Sequence, residues 1–338
     1  VLVLGIDTSC DETAASVVRD GRTALSNVVA SQVALHERFG GVVPEIACRA
    51  HTENITRVIE RALADAGVTF SGIDGVAVTN RPGLIGALLV GVNAAKAVAL
   101  SCGRPVVGVN HVEAHVFASV LESGEPAPPF VALVVSGGHT TLFLVHGPGR
   151  LEELGRTVDD AAGEAFDKAA AALGLGYPGG PIIDRLAADG DPRAVAFRRP
   201  WLAPGSLDFS FSGLKTAVLY HARGQDARGR GAGLRAGIDV RDVAASFQET
   251  VVDVLVGKTL LAAERTGVRR IVLGGGVAAN SRLRARFIEA AGEAGLSLTL
   301  PPRALCTDNA AMVAVVGDRR LAAGEDDGLT LDAHSRMA

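Results

Sequence analysis

Residues 130–145 read FVALVVSGGHTTLFLV: an apolar, largely β-branched run from Phe130 to Val135, a Ser136-Gly137-Gly138-His139 turn, and a second run from Thr141 to Val145 that ends at Gly147-Pro148. Short apolar runs bounded by turn formers are buried strands, and a Gly-Gly pair between two of them closes a hairpin. Residues 1–18, VLVLGIDTSCDETAASVV, repeat the plan: a strand over 1–6, a polar loop over 7–12, and a strand from Ala14 to Val18 leading to Asp20-Gly21. Two copies of one strand–loop–strand unit predict an internal duplication. Between them, helical patterns at 51–66 and 84–100 alternate with short strands at 75–78 and 106–109, as in α/β domains.

The stretch Ser123–Pro129, SGEPAPP, is rich in turn formers and proline and directly precedes the second copy. It places a lobe boundary there, with a first lobe over 1–125 and a second over 126–338. Downstream the pattern predicts a helix at 161–173, a YPGGP turn at 177–181, an extended 209–212 segment running into a helix, and a long helix at 240–266. A strand at 271–273 before Gly274-Gly275-Gly276, a helix at 281–294 and a terminal helix at 309–322 complete the reading. The Gly/Arg-rich residues 224–237 predict an exposed, mobile loop.

The chain has 338 residues, 48% hydrophobic, 21% charged and 4% aromatic, which excludes a disordered or fibrous protein. Its four cysteines, Cys10, Cys48, Cys102 and Cys306, form no CxxC pair, so neither a disulfide framework nor a thiolate zinc site is indicated and a reducing cytoplasm is expected. A net charge of -4 argues against a general nucleic-acid coat while leaving room for a local patch that holds one specific RNA. The first residues lack the layout of a signal peptide. The apolar stretch Gly83–Leu100 is interrupted by Gly86, Gly91, Asn93 and Lys96, so it reads as a buried helix, with no membrane partner.

The sharpest chemical signal is Asn110-His111-Val112-Glu113-Ala114-His115. Two imidazoles four residues apart on a helix share a face, about 6 Å apart along its axis, and can grip one metal. The pattern is not the HExxH of zinc peptidases, because Glu113 lies between the histidines and points away from their shared face. Taken alone, an HxxxH pair is more often two satisfied histidines. Asp308, after Cys306-Thr307 and ahead of the terminal helix, is the best third ligand; its other reading is a plain N-cap. Two histidines and a carboxylate suit iron(II) or zinc and leave coordination positions open.

Glycine-rich turns form the second group. Ser136-Gly137-Gly138 follows a strand, and backbone amides exposed at glycine can cradle a phosphate; the alternative is a tight hairpin. Asp7-Thr8-Ser9 holds the equivalent position in the first copy, Gly274–Gly276 can admit an adenosine, and Asn280 either bonds that nucleotide or caps the following helix. Asp167 and Asp184 can reach a ribose or sit on solvated faces. Arginines at 198, 199, 269, 270, 282, 284 and 286 supply local positive charge. No GxGxxG fingerprint follows the first strand, and neither GxxxxGK[ST] nor a GxSxG elbow occurs, which disfavours a dinucleotide site, a P-loop and a serine hydrolase.

Taken as a set, NHVEAH at 110–115, VSGGHT at 135–140, GEAFDK at 163–168, YPGGP at 177–181, FSFSGLKT at 209–216, GGGVAAN at 274–280 and CTDNAAM at 306–312 resemble one family over nearly the whole chain. It is the tRNA threonylcarbamoyladenosine transferase family, TsaD in bacteria, formerly called O-sialoglycoprotein endopeptidase. The resemblance implies an α/β, duplicated actin-like ATPase fold with two lobes around a nucleotide cleft. It implies that His111, His115 and Asp308 bind the metal, and that Val134, Val135, Ser136, Gly137, Gly138, Asp167, Gly180, Asp184 and Asn280 line the nucleotide and substrate site. One departure stands out: the family usually has Gly-Pro-Gly-Leu where this chain has Arg81-Pro82-Gly83-Leu84, and a turn needing positive φ would strain Arg81.

The implied reaction is acyl transfer, in which N6 of adenosine 37 in tRNAs reading ANN codons attacks threonylcarbamoyl-AMP and releases AMP. The implied cofactor is one divalent ion, iron or zinc, with ATP or threonylcarbamoyl-AMP as nucleotide ligand. The implied partners are tRNA, the paralogue TsaB, the ATPase TsaE and a TsaC or Sua-type synthase that supplies the intermediate. A metallopeptidase and a non-catalytic ATP-binding scaffold are the competing readings.

Overall fold

In the computed structural model, which describes residues 1–124, 126–224 and 233–336, the chain divides into two compact units, Val1–Pro126 with Pro301–Ala338, and Ala127–Leu300. Unit 1 is built from β1 (Leu2–Asp7), β2 (Glu12–Arg19), β3 (Thr23–Ala24), β4 (Val28–Ser31), α1 (Val33–His36), α2 (Pro44–Ala66), β5 (Gly75–Arg81), α3 (Ile85–Cys102), β6 (Val106–Asn110), α4 (His111–Phe117) and α5 (Val120–Ser123). Unit 2 follows with β7 (Phe130–Val135), β8 (Thr140–Gly147), β9 (Arg150–Arg156), α6 (Ala162–Leu173), α7 (Gly179–Ala187), α8 (Ser212–Arg223), α9 (Val240–Thr266), β10 (Arg270–Gly274), α10 (Ser281–Glu293) and β11 (Ser297–Thr299). The chain then returns to unit 1 as α11 (Ala310–Ala322).

The sheets share one plan. Unit 1 has the order β3-β2-β1-β5-β6, with β4 also on β2, and unit 2 the order β11-β10-β7-β8-β9. In each, the hairpin is antiparallel (β1 with β2, β7 with β8), and its first strand takes parallel neighbours on the other side. The duplication is thus visible as topology. The first hairpin turns through residues 8–11, and Asp20 and Gly21, at φ 52 and 59, then turn β2 into β3. The second closes with the Ser136 amide donating to the His139 carbonyl, and neither Gly137 nor Gly138 takes a positive φ.

The parallel strands of unit 1 are apolar on both faces, as strands covered on both sides must be. Leu4, Ile6, Val76 and Val78 pack into a cluster with α2 and α3, while the alternate positions Gly5, Ala77 and Val107 face α11. Gly317 of α11 lies so close to Ala77 that a side chain there would collide with it. This intimate packing is why residues 301–338 belong to unit 1 and not, as the linear reading had it, to a second lobe over 126–338.

Three further expectations are revised. The stretch expected as a buried helix forms α3, which is 33% buried and by length and composition alone could cross a membrane. One stripe, Ala87, Leu88, Gly91, Val92, Ala95 and Ala99, meets the core, while Ile85, Leu89 and Leu100 are exposed; apolar residues outside the stripe hide from the sequence that only one face is covered. The YPGGP segment is not a free turn: Gly179 opens α7, with Pro181 in its first turn, where a missing N–H costs no helical hydrogen bond. Arg81 ends β5 after a bulge at Thr79/Arg81 and does not adopt a positive φ, so the strain considered for it does not arise. The expected mobile loop at 224–237 lies largely outside the described residues.

Candidate metal centre

Because β1, β5 and β6 are mutually parallel, their C-terminal ends share one edge of the sheet. β6 runs straight into α4 there. Asn110 caps that helix, its side-chain oxygen accepting from the amides of Val112 at 2.9 Å and Glu113 at 3.3 Å. This fixes His111 as the first helical residue and His115 one turn on, with ring centroids 4.7 Å apart. At the start of α11 the capping role falls to Asn309, whose Oδ1 accepts from the Met312 amide at 3.1 Å. Asp308 is therefore not the cap. Its Oδ1 lies 3.1 Å from His115 Nε2 and 3.6 Å from His111 Nε2, and one donor atom from each of the three side chains falls within 4.8 Å of the others.

On the far side of the ring, His111 Nδ1 faces Asp7 Oδ2 at 3.2 Å and Ser9 Oγ at 3.1 Å. Asp7 is itself fixed by accepting from the Ser9 amide at 2.9 Å. A carboxylate on the Nδ1 side holds the imidazole proton there and turns the Nε2 lone pair toward Asp308, the arrangement metal-binding histidines use. The surroundings are strongly electronegative. Burial works against a charged His111, yet Asp308 and Asp7 override it and raise its pKa to about 9. Burial, and then Asp308 and Asp11, push Glu12 up to about 10. Burial also raises the Cys10 thiol, with Asp11 and Asp308 adding to it.

Two imidazole nitrogens and one carboxylate oxygen, in a pocket that holds surplus negative charge, fit a divalent ion of borderline hardness. His115 is 1% exposed and Asp308 19%, so the group opens on the aspartate side. Asp7 and Ser9 were read from the sequence only as a phosphate-binding turn. Their place at the end of the first parallel strand was the available signal for a role beside His111.

The remaining candidates belong to unit 2, where hydrogen bonds link them in series. The Gly163 amide at the start of α6 donates to the Ser136 carbonyl. Asp167 on α6 accepts from the Gly179 amide at 2.7 Å, next to Gly180. Asp184 on α7 accepts from the Ser281 amide and from its hydroxyl, the latter at 2.7 Å, next to Asn280. Asn280 is the N-cap of α10, accepting from Leu283 at 2.9 Å, and its amide donates to Gln248 at 2.7 Å. Val134 and Val135 are fully buried, so only their backbone could meet a ligand. A Cβ on Gly137, Gly138 or Gly180 would find no atom within 4 Å.

A family model described as tRNA N6-adenosine threonylcarbamoyltransferase, TsaD, matches residues 23–315. The protein of that name from Geobacter metallireducens is 58% identical over 333 residues, covering 98% of this chain and 96% of the relative. That from Anaeromyxobacter dehalogenans is 54% identical over 332 residues, covering 98% and 97%. Among solved structures, full-length HypF in its phosphate- and nucleotide-bound form aligns with TM-score 0.61 over 95% of this chain and 46% of that one, at 16% identity. Component A of the Acidaminococcus fermentans (R)-2-hydroxyglutaryl-CoA dehydratase aligns with TM-score 0.57 over 95% and 99%, also at 16% identity. At such identity the structures speak to fold alone, and the fold is that of the actin-like ATPases. With a family model over most of its length and relatives above half identity, the chain belongs to the TsaD family of tRNA N6-adenosine threonylcarbamoyltransferases.

Proposed function

We propose that the protein moves the threonylcarbamoyl group of threonylcarbamoyl-AMP to N6 of adenosine 37 in tRNAs reading ANN codons, and that His111, His115 and Asp308 hold the divalent ion, iron or zinc, that serves this reaction. The observation that carries the metal assignment is the convergence of both Nε2 atoms on one Asp308 oxygen. In the transfer, the N6 amine forms a C–N bond to the carbamoyl carbon, the C–O bond to phosphate breaks, AMP leaves, and one proton is released from N6. A bound divalent ion supplies Lewis-acid polarisation and offsets the charge that develops on phosphate or carbamoyl oxygen. Asp7 and Ser9 keep His111 in the tautomer that presents Nε2.

Val134 to Gly138, Asp167, Gly180, Asp184 and Asn280 are proposed to line the site for the AMP moiety or ATP. What supports this is the Gly137-Gly138 turn, where neither φ nor neighbouring atoms demand glycine. A phosphate drawn onto the bare amides gives the pair a reason. By the family's known relations we also propose that the enzyme works in the cytoplasm with TsaB and TsaE and receives its intermediate from a TsaC or Sua-type synthase. The relatives carry transferase names, which favours neither a peptidase nor a bare scaffold. The test is mass spectrometry of nucleosides from tRNA incubated with the protein, its partner proteins, threonine, bicarbonate and ATP. His111→Ala and Asp308→Ala are expected to abolish product with far-UV circular dichroism unchanged; normal transfer by the metal-free double variant refutes the metal's role.

A further inference from the structure

Between Phe197 and Phe209, unit 2 carries an irregular loop that displays the chain's single tryptophan. Trp201 is 45% exposed and Leu202 46%. Two devices hold them there. Lys258, itself buried, donates to the carbonyls of Trp201 at 3.0 Å, Ser206 at 2.9 Å and Asp208, so all three ammonium protons fasten this one loop. Leu202 sits at φ 61, one of two non-glycine residues with positive φ among those described. Such strain persists only where the surroundings over-determine it. The indole rests on Gly257 of α9, where a Cβ would come within 2.5 Å of the ring.

The loop is also cationic. Between Phe197 and Phe209 it carries Arg198 and Arg199 against one acid, Asp208, in a chain whose net charge is -4. Arg199 is paired with Asp253 at 2.7 Å. Arg198 has no hydrogen-bond or ion-pair partner among the described residues, and the Arg265 guanidinium lies against Gly205. A held, exposed indole flanked by the Arg198 and Arg265 guanidinium groups matches a polyanion that offers unstacked bases.

We propose that this loop docks the tRNA substrate, Trp201 stacking on an unpaired base while Arg198 and Arg265 meet phosphates; the proposal rests on the reading that the enzyme acts on tRNA. The sole tryptophan makes the test direct. The metal-loaded full chain is titrated with unmodified tRNA while indole emission and the anisotropy of labelled tRNA are followed. Emission is expected to be quenched by tRNA and not by heparin, a polyanion without bases. Trp201→Ala should bind tRNA about tenfold more weakly, and Trp201→Phe, which keeps a ring on Gly257, should bind nearly as the parent does. Arg198→Gln with Arg265→Gln should lower the slope of log Kd against log salt by about 1.4. Unchanged emission at saturating tRNA, or unchanged affinity in Trp201→Ala, overturns the proposal. Quenching by the partner proteins and not by tRNA also overturns it, in favour of a protein interface. Product formation by the parent protein in the nucleoside assay shows that such a failure is confined to docking; its absence means the functional reading itself fails.

Discussion

Stripped of metal by a chelator, the protein should lose stability as pH rises from 6.5 to 9, and His111 should account for a measurable part of the loss. Its folded pKa is raised from 6.5 to about 9. In that window the folded state therefore binds a proton the unfolded state does not, and stability falls with rising pH. The contribution is fully present below 6.5 and gone above about 9. At about 1.4 kcal/mol per unit, the shift sets a ceiling of roughly 3 kcal/mol. For a unit of this size that corresponds to a fall in Tm of roughly 6–12 °C. Glu12, raised to about 10, acts with the same sign over a wider range, so the slope must be assigned by variant. Urea unfolding across the pH series, for the chelated parent and for His111→Gln, isolates the histidine; Asp308→Asn and Asp7→Asn should both flatten the curve. Equal slopes in the parent and His111→Gln would refute the electrostatic argument. Excess divalent ion should reverse the trend, because binding displaces the proton and tightens as pH rises.

The two kinds of glycine in unit 2 should respond oppositely to alanine. Gly275→Ala, at φ 90 and with the new Cβ driven into the Val135 carbonyl, should cost about 2 kcal/mol or more in thermal unfolding. Gly137→Ala should leave stability within about 0.5 kcal/mol and weaken threonylcarbamoyl-AMP binding measured by calorimetry; unaltered binding would remove the turn from the nucleotide site. Lys258→Met should cost about 3 kcal/mol in urea unfolding, since it strands three carbonyls that now share one buried ammonium. A neutral result there would mean that water takes over the loop.

Local pattern carried much of the architecture. The runs at 1–18 and 130–145 are hairpins because β-branched residues and turn formers act over a few positions, and the long helix at Val240–Thr266 has the limits its periodicity suggested. The histidine pair was legible for the same reason, as four residues on a helix fix a shared face. What pairs Asp308 with them is not local. It depends on α11 crossing back to β1 and β5 over Gly5 and Gly317, small residues that say little in isolation. Whether Asp308 or Asn309 caps α11 also escaped the sequence, since either residue type is a favoured cap. The exposure of α3 was hidden by apolar residues that continue beyond its buried stripe, and Arg81 proved ordinary because a bulge, not a left-handed turn, ends its strand.

The return of the chain to its first unit has a consequence for biogenesis. Ribosomes deliver both imidazoles early, but the acid that completes the trio is translated only after every residue of the intervening unit. A nascent polypeptide thus exposes an incomplete, poorly chelating pair for most of its synthesis. At the proposed metal centre, loading with an ion would wait until α11 has docked, which would tie metallation to completed folding.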